Sequence, residues 1–186
     1  MILLELLAGH LFGAPAPKSA TLRTTGGVVE RPMPDFLTRD RVTALVRTFL
    51  GGRAAEAVVF DAVSSGAGGG EESDLAMAAH LLTDAEKRLG LGDTLTWHSP
   101  DITTRLLAQG PRTWIEDTLR TVEAEMRKAL TRHRDDLERI AKALLEEWEL
   151  HAEDLANLLD QVTPDRTLEN ADLFDADERT PQTSGT

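Results

Sequence analysis

The stretch from Gly51 to Leu75, GGRAAEAVVFDAVSSGAGGGEESDL, constrains this chain more than any other. A glycine pair opens a short run of helix-forming residues, Arg53 to Glu56, and the apolar patch Ala57-Val58-Val59-Phe60 follows. A loop of small residues containing Gly66, Gly68, Gly69 and Gly70 then ends at Ser73-Asp74-Leu75, where hydrophobic periodicity resumes. Adjacent glycines tolerate positive φ and a close backbone approach because they carry no Cβ. From the residues alone, the stretch is a corner between helices. A chain arranged around such a corner buries its apolar stripes by packing helix on helix.

Those stripes lie on both sides of the corner. Thr38 or Asp40 caps a helix whose Val42, Leu45, Val46 and Phe49 recur at helical spacing, and the spacing ends this helix at Gly51-Gly52. A second short helix is expected over 53–60. Beyond the loop, Ser73 or Asp74 starts a helix with Leu75, Ala78, Ala79, Leu82, Ala85 and Leu89 on one face, ending at Gly90. An aspartate in that place is ordinarily an N-cap that accepts a bond from the first turn's free N–H. His80, six residues on, is out of step with Asp74 and reads as a partly buried polar residue. Ser99-Pro100 starts a short helical stretch over Ile102–Ala108. Two long helices follow, one with Ile115, Leu119, Val122, Met126, Ala129 or Leu130, and His133 on one side. The other carries Leu137, Ile140, Ala141, Leu144, Leu145 and Trp148. The short connection at Arg134-Asp135 makes them an antiparallel helical hairpin. Leu155, Leu158, Leu159 and Val162 mark a last short helix.

Before the corner, residues 1–12 form an apolar run interrupted by Glu5 and His10. The run lacks a basic leader, is too short to span a bilayer, and reads as the start of a buried helix. Ala14-Pro15-Ala16-Pro17 breaks it. Gly26-Gly27 sits between two β-prone runs and predicts one small hairpin over Thr21–Glu30. The fold class is therefore mainly α, over residues 1–163, with one β-hairpin and a C-terminal helical hairpin. From Pro164 the periodicity stops, and six acidic side chains face two basic ones. Residues 164–186 read as a solvated acidic tail whose removal costs little stability, though Leu168, Leu173 and Phe174 could dock.

Charge narrows the function classes. A net charge of −12 and a pI near 4.8 exclude a basic nucleic-acid reader. With no cysteine, a metal site would have to use His, Asp or Glu, and a reducing, cytoplasmic setting is suited.

GGRAAE, then apolar residues, then Ser64-Ser65-Gly66-Ala67, then Asp74-Leu75 opening a helix resembles the peptidase domain of the FtsH family, the membrane-bound ATP-dependent zinc metalloproteases. That family reads GGRAAE, apolar, (S/T)TGA, xNDL, and its aspartate is the third zinc ligand. The order of segments from about Phe12 to Val162 also agrees, including the hairpin and the C-terminal helices. The resemblance implies an ancestral ATP-dependent endopeptidase and makes Asp74 a metal-ligand candidate.

Two departures bear on that chemistry. Six residues separate Ala67 from Asp74 where the family has two, and such an insertion in a flexible loop costs little closure entropy. More decisively, the chain has no HExxH, the pair of histidines one helical turn apart with a glutamate as general base. Its histidines, His10, His80, His98, His133 and His151, include no pair three or four apart. Ala8-Gly9-His10 is similar to the end of the family's HEAGH, which makes His10 a vestigial ligand candidate and puts Leu6 and Leu7 at the first histidine and the glutamate. Counting back from Ala16-Pro17 instead sets Met1 and Glu5 at the two histidines. In either register the base is missing, so no catalytic residue is assigned and no cofactor is expected; zinc enters only if the site is not degenerate.

Three readings follow. An FtsH-like domain that has lost its zinc motif would act as a scaffold or regulatory subunit with a protein partner, either an ATPase subunit or a second copy. A divergent zinc hydrolase would use His10, Asp74 and a third ligand such as Glu56 or His80. An unrelated helical interaction domain would owe its likeness to chance. The chain carries no GxxxxGK[ST] loop for ATP and no transmembrane segment.

Overall fold

The computed structural model describes residues 2–24, 26–32, 35–93, 95, 97–99, 113–163 and 173–174. Helix α1 (Ile2–Leu11) leads into strands β1 (Ser19–Arg23) and β2 (Gly26–Glu30), the expected hairpin. Helix α2 (Arg39–Phe60) follows, then a 3₁₀ turn (Ser65–Ala67) and helix α3 (Asp74–Lys87). Helices α4 (Thr113–Arg132) and α5 (Arg134–Glu147) form the C-terminal helical hairpin, joined through His133. Strand β3 (Glu149–His151) and helix α6 (Ala152–Leu159) complete the order. The chain is mainly helical, with one small antiparallel sheet ordered β2-β1-β3.

α2 is the central element, packed on α1, α3 and, most extensively, α4. Thr38 caps it, its Oγ1 accepting the Arg41 N–H at 3.3 Å. The helix then runs unbroken through Gly51-Gly52, correcting the expected break and the separate helix over 53–60. Each glycine costs a helix roughly 1 kcal/mol relative to alanine. Burial of Leu50, Ala54 and Ala55 on either side offsets that cost, and both glycines are themselves buried. Asp61, in the left-handed region at φ 50°, ends the helix.

The sheet has a strand that sequence periodicity did not reveal. β3 is three residues long, too short for an alternation to register. Trp148 ends α5 at φ 61°, and its carbonyl accepts the Leu22 N–H at 2.8 Å, turning the chain onto β1. Ala20 then pairs with Val29 on one side and Leu150 on the other, so their side chains share the face toward the core. α5 packs on α1 more than on α4.

The α4 stripe is buried at Val122, Met126, Ala129 and Leu130, and the α5 stripe at Leu137, Ile140 and Leu144. Leu75, Leu89, Leu145 and Trp148, expected on inner faces, are exposed. In each case the residue lies at a helix end, where the packing surface has already turned away. The expectation that the tail buries few apolar groups fails at Leu173 and Phe174, which are 8% and 1% exposed and belong to the main core. The helical stretch expected over 102–108 lies outside the described residues. Among the described residues, no helix is long and apolar enough to cross a membrane.

Candidate functional site

The GGRAAE segment is built into α2 by both faces. Ala54 and Ala55 are fully buried, while Arg53 Nε reaches Glu123 Oε1 of α4 at 3.2 Å. One and a half turns earlier, Arg47 pairs with Glu125 at 3.1 Å and lies 5.0 Å from the Phe12 ring centroid, tying α1 to the same seam. Glu56, at the end of the motif, holds the loop. It accepts both the Ser64 N–H and the Ser64 hydroxyl at 2.8 Å, and those bonds hold its carboxyl below the usual range. Its oxygens are thus already engaged by the loop it folds.

Asp74 is the first residue of α3, not its cap. Ser73 takes the capping role, its hydroxyl accepting the Ala76 N–H at 3.4 Å. Asp74 is half-buried, and burial pushes its carboxyl pKa up. An anion in the first turn of a helix is favoured by the helix dipole, but desolvation here opposes ionisation. His80 is exposed, not partly buried as the periodicity implied, and lies one and a half turns further along α3.

His10 sits in the last turn of α1, half-buried beside a cavity of about 180 Å³ that is also lined by Arg31, Leu155, Leu159 and Asp160. Burial lowers the His10 pKa; Asp160 acts to raise it, and His133 adds a smaller lowering effect. Arg31 lies across the turn below: its Nη1 donates to the Pro15 carbonyl, and a Cβ on Gly9 would meet the guanidinium at 2.5 Å. That close approach is what glycine at position 9 permits. His133, in turn, has Nδ1 3.1 Å from Asp136, whose other oxygen takes a bond from Arg139 at 2.8 Å.

The two ligand candidates thus have different surroundings. Asp160 and His133 both act on the charge of His10, and Asp160 also lines its cavity. Leu6 and Leu7, the counterparts of the first histidine and the glutamate in the register ending at His10, are completely buried. Met1 and the side chain of Glu5, on which the other register depends, lie outside the described residues. Among the described residues, no three His, Asp or Glu side chains gather where a metal could be held. A catalytic zinc takes three protein ligands and a water. The described residues do not fit one. Sequence reasoning did not find that His10 and Asp160 line one cavity. The two lie in the first and last helical segments of the described domain, His10 in α1 and Asp160 as the C-cap of α6, and no spacing rule connects them.

A helical domain with a small hairpin, a GGRAAE-bearing central helix and an aspartate opening the next helix has the plan of a peptidase domain of the zinc-dependent type. A model of peptidase family M41 matches residues 20–158, and the chain belongs to that family. It is 30% identical over 162 residues to the ATP-dependent zinc metalloprotease FtsH 4 of Synechocystis, an alignment covering 77% of this chain and 25% of that protein. It is 32% identical over 164 residues to FtsH 3 of Symbiobacterium thermophilum, again 77% of this chain and 25% of the relative. Identity to the ATP-dependent zinc metalloprotease YME1L of Drosophila melanogaster is 29% over 160 residues, 78% of this chain and 20% of that one. The likeness is therefore not chance, and the chain spans about a quarter of the length of these relatives.

Proposed function

We propose that this M41 domain does not cleave peptides and serves as a scaffold or regulatory subunit. The observation that carries the reading is that, among the described residues, no three His, Asp or Glu side chains gather to hold a metal, and Leu6 and Leu7, just before His10 in α1, are fully buried. Without a glutamate next to a metal-bound water, nothing takes the proton that peptide hydrolysis requires to be moved. The intact packing around GGRAAE supports a role that depends on shape. Its partner would be a protein, either an ATPase-bearing subunit of the kind the relatives' names describe or a second copy of this chain. The cysteine-free composition supports a cytoplasmic setting.

Elemental analysis of the purified chain, together with a casein-cleavage assay, tests this reading. No retained zinc and no cleavage are expected. One zinc per chain, with cleavage that a chelator abolishes, overturns it.

A further inference from the structure

Helix α6 and its C-cap line the cavity beside His10 with Ala152, Leu155, Ala156, Leu159 and Asp160. The helix is eight residues long and packs more on β3, the strand directly before it, than on any other element. A helix that short owes its stability to what it is packed on. Leu155 and Leu159 anchor it in the core, but its last four carbonyls have no N–H partner within the helix. Three are met locally. Ala156 accepts the Asp160 N–H at 2.8 Å, Asn157 the Gln161 side-chain amide at 2.9 Å, and Leu159 the Val162 N–H at 2.9 Å. The fourth, Leu158, accepts Arg139 Nη1 of α5 at 3.0 Å. The Arg139 Nη2 donates to Asp136 at 2.8 Å, and the other Asp136 oxygen lies 3.1 Å from His133 Nδ1. Burial acts to raise the Asp136 pKa, but the bonds from Arg139 and His133 hold it below the usual range. One relay therefore runs from the α4–α5 joint to the end of α6.

We propose that α6 is a strap over the His10 cavity, latched by Arg139, which opens as a unit while the rest of the fold stays intact. A cation at a helix C-terminus meets both the free carbonyls and the negative end of the dipole. Here that cation comes from another helix, so the bond that completes α6 also fixes where it lies against α5. Asp136 keeps the guanidinium turned toward Leu158, and His133 steadies Asp136 in turn. The latch is within reach of water: the Arg139 and Asp136 side chains are 31% and 25% exposed, against 5% for Arg47 in the α2–α4 seam. Water can replace either partner there without disturbing the seam. Elements held by few contacts outside their own segment are the ones that open below the global transition. An opened strap widens the cavity and uncovers Leu155 and Leu159. The inference is independent of whether the domain cleaves peptides.

The sequence has no cysteine, so a single introduced thiol reports on one place. In the full chain, Leu155→Cys puts that thiol under the strap, and Val122→Cys puts it in the buried stripe of α4 as a control. Labelling by an aromatic disulfide reagent is followed at fixed pH, with and without Arg139→Met. Arg139→Met is expected to speed labelling of the Leu155→Cys chain about tenfold, the low end for a lost hydrogen bond to a charged group. The Val122→Cys chain should stay within about twofold, since its thiol is reached only by wider unfolding. Asp136→Asn should speed labelling under the strap less, and should add nothing once Arg139 is replaced, because both act through the Leu158 carbonyl. Unchanged labelling under the strap, an equal rise at both positions, or additive effects of the two substitutions overturns the proposal. Should Leu155→Cys fail to fold, amide hydrogen exchange on the cysteine-free Arg139→Met chain takes its place. A selective loss of protection over residues 155–159 supports the strap, and a loss shared with α4, or none, overturns it.

Discussion

The seam between α2 and α4 and the surroundings of His10 and Asp74 handle charge in opposite ways. Along the seam, Arg47 and Arg53 each meet a glutamate of α4 at 3.1 and 3.2 Å, and Phe12 adds a ring contact to Arg47. Around the candidate ligands, burial disfavours the charged forms: the His10 pKa is pushed down and the Asp74 pKa up. An ion pair that crosses two helices fixes how they pack, and losing one member leaves the other with a desolvation cost. A lone half-buried donor fixes nothing unless something binds it. The ion pairs thus tie α2 to α4, while the two candidate ligands sit in niches that disfavour their charged forms.

The largest effect should come from restoring the family's motif in the register that ends at His10. Leu6→His with Leu7→Glu replaces two fully buried leucines, each worth about 2–5 kcal/mol in lost burial. Urea denaturation should show loss of the cooperative transition. A folded, zinc-binding double variant would break the comparison, because it would mean that His10 does face the ligand site.

Arg47→Met comes next. It keeps the apolar stem but removes the bond to Glu125, at a cost of about 1.5–3 kcal/mol for a hydrogen bond between charged groups. Glu125 is 23% exposed and can partly rehydrate, which favours the low end. Chemical denaturation at fixed pH measures it.

His10→Gln probes the other region through pH. The folded-state pKa of His10 lies below its ordinary 6.5, so on acidification the unfolded chain takes up the proton first. The stability that neutral His10 allows is present above pH 6.5 and is lost as pH falls through the folded pKa. Asp160 and Arg31 face the same cavity, and His133 acts on His10 from the helical hairpin. Replacing His10 should flatten the melting-temperature profile between pH 7 and pH 5, about one unit either side of a histidine's usual range. An unchanged profile would show that the cavity does not desolvate it.

The smallest effect belongs to Arg134→Ala. Its pair with Glu138 is more than half exposed on both sides and lies in the first turn of α5, where the helix dipole disfavours a cation. A change within about 0.5 kcal/mol is expected. A larger loss would mean that the joint between α4 and α5 carries more of the fold than the buried seam.

The sequence alone determined the helical class, the hairpin and the family, because these are written in short-range patterns. Apolar residues at helical spacing on α4 and α5 must face a core, β-prone runs around Gly26-Gly27 must turn, and six consecutive residues of GGRAAE carry the likeness. The missing HExxH was equally plain, being a local spacing. Other features depended on burial and long-range contact. Gly51-Gly52 continue α2 because neighbouring side chains gain more by packing than the glycines lose. β3 exists because Leu150 finds Ala20 across the chain. Ser73 rather than Asp74 caps α3, and His10 lines a cavity with Asp160, outcomes set by where whole helices come to rest. Phe174 is the sharpest case. Its acidic neighbours predict a solvated tail, but one ring with a place under Arg39 gains enough from burial to leave water. Only the tertiary structure creates that place, since its walls come from the start of α2 and the turn after α3.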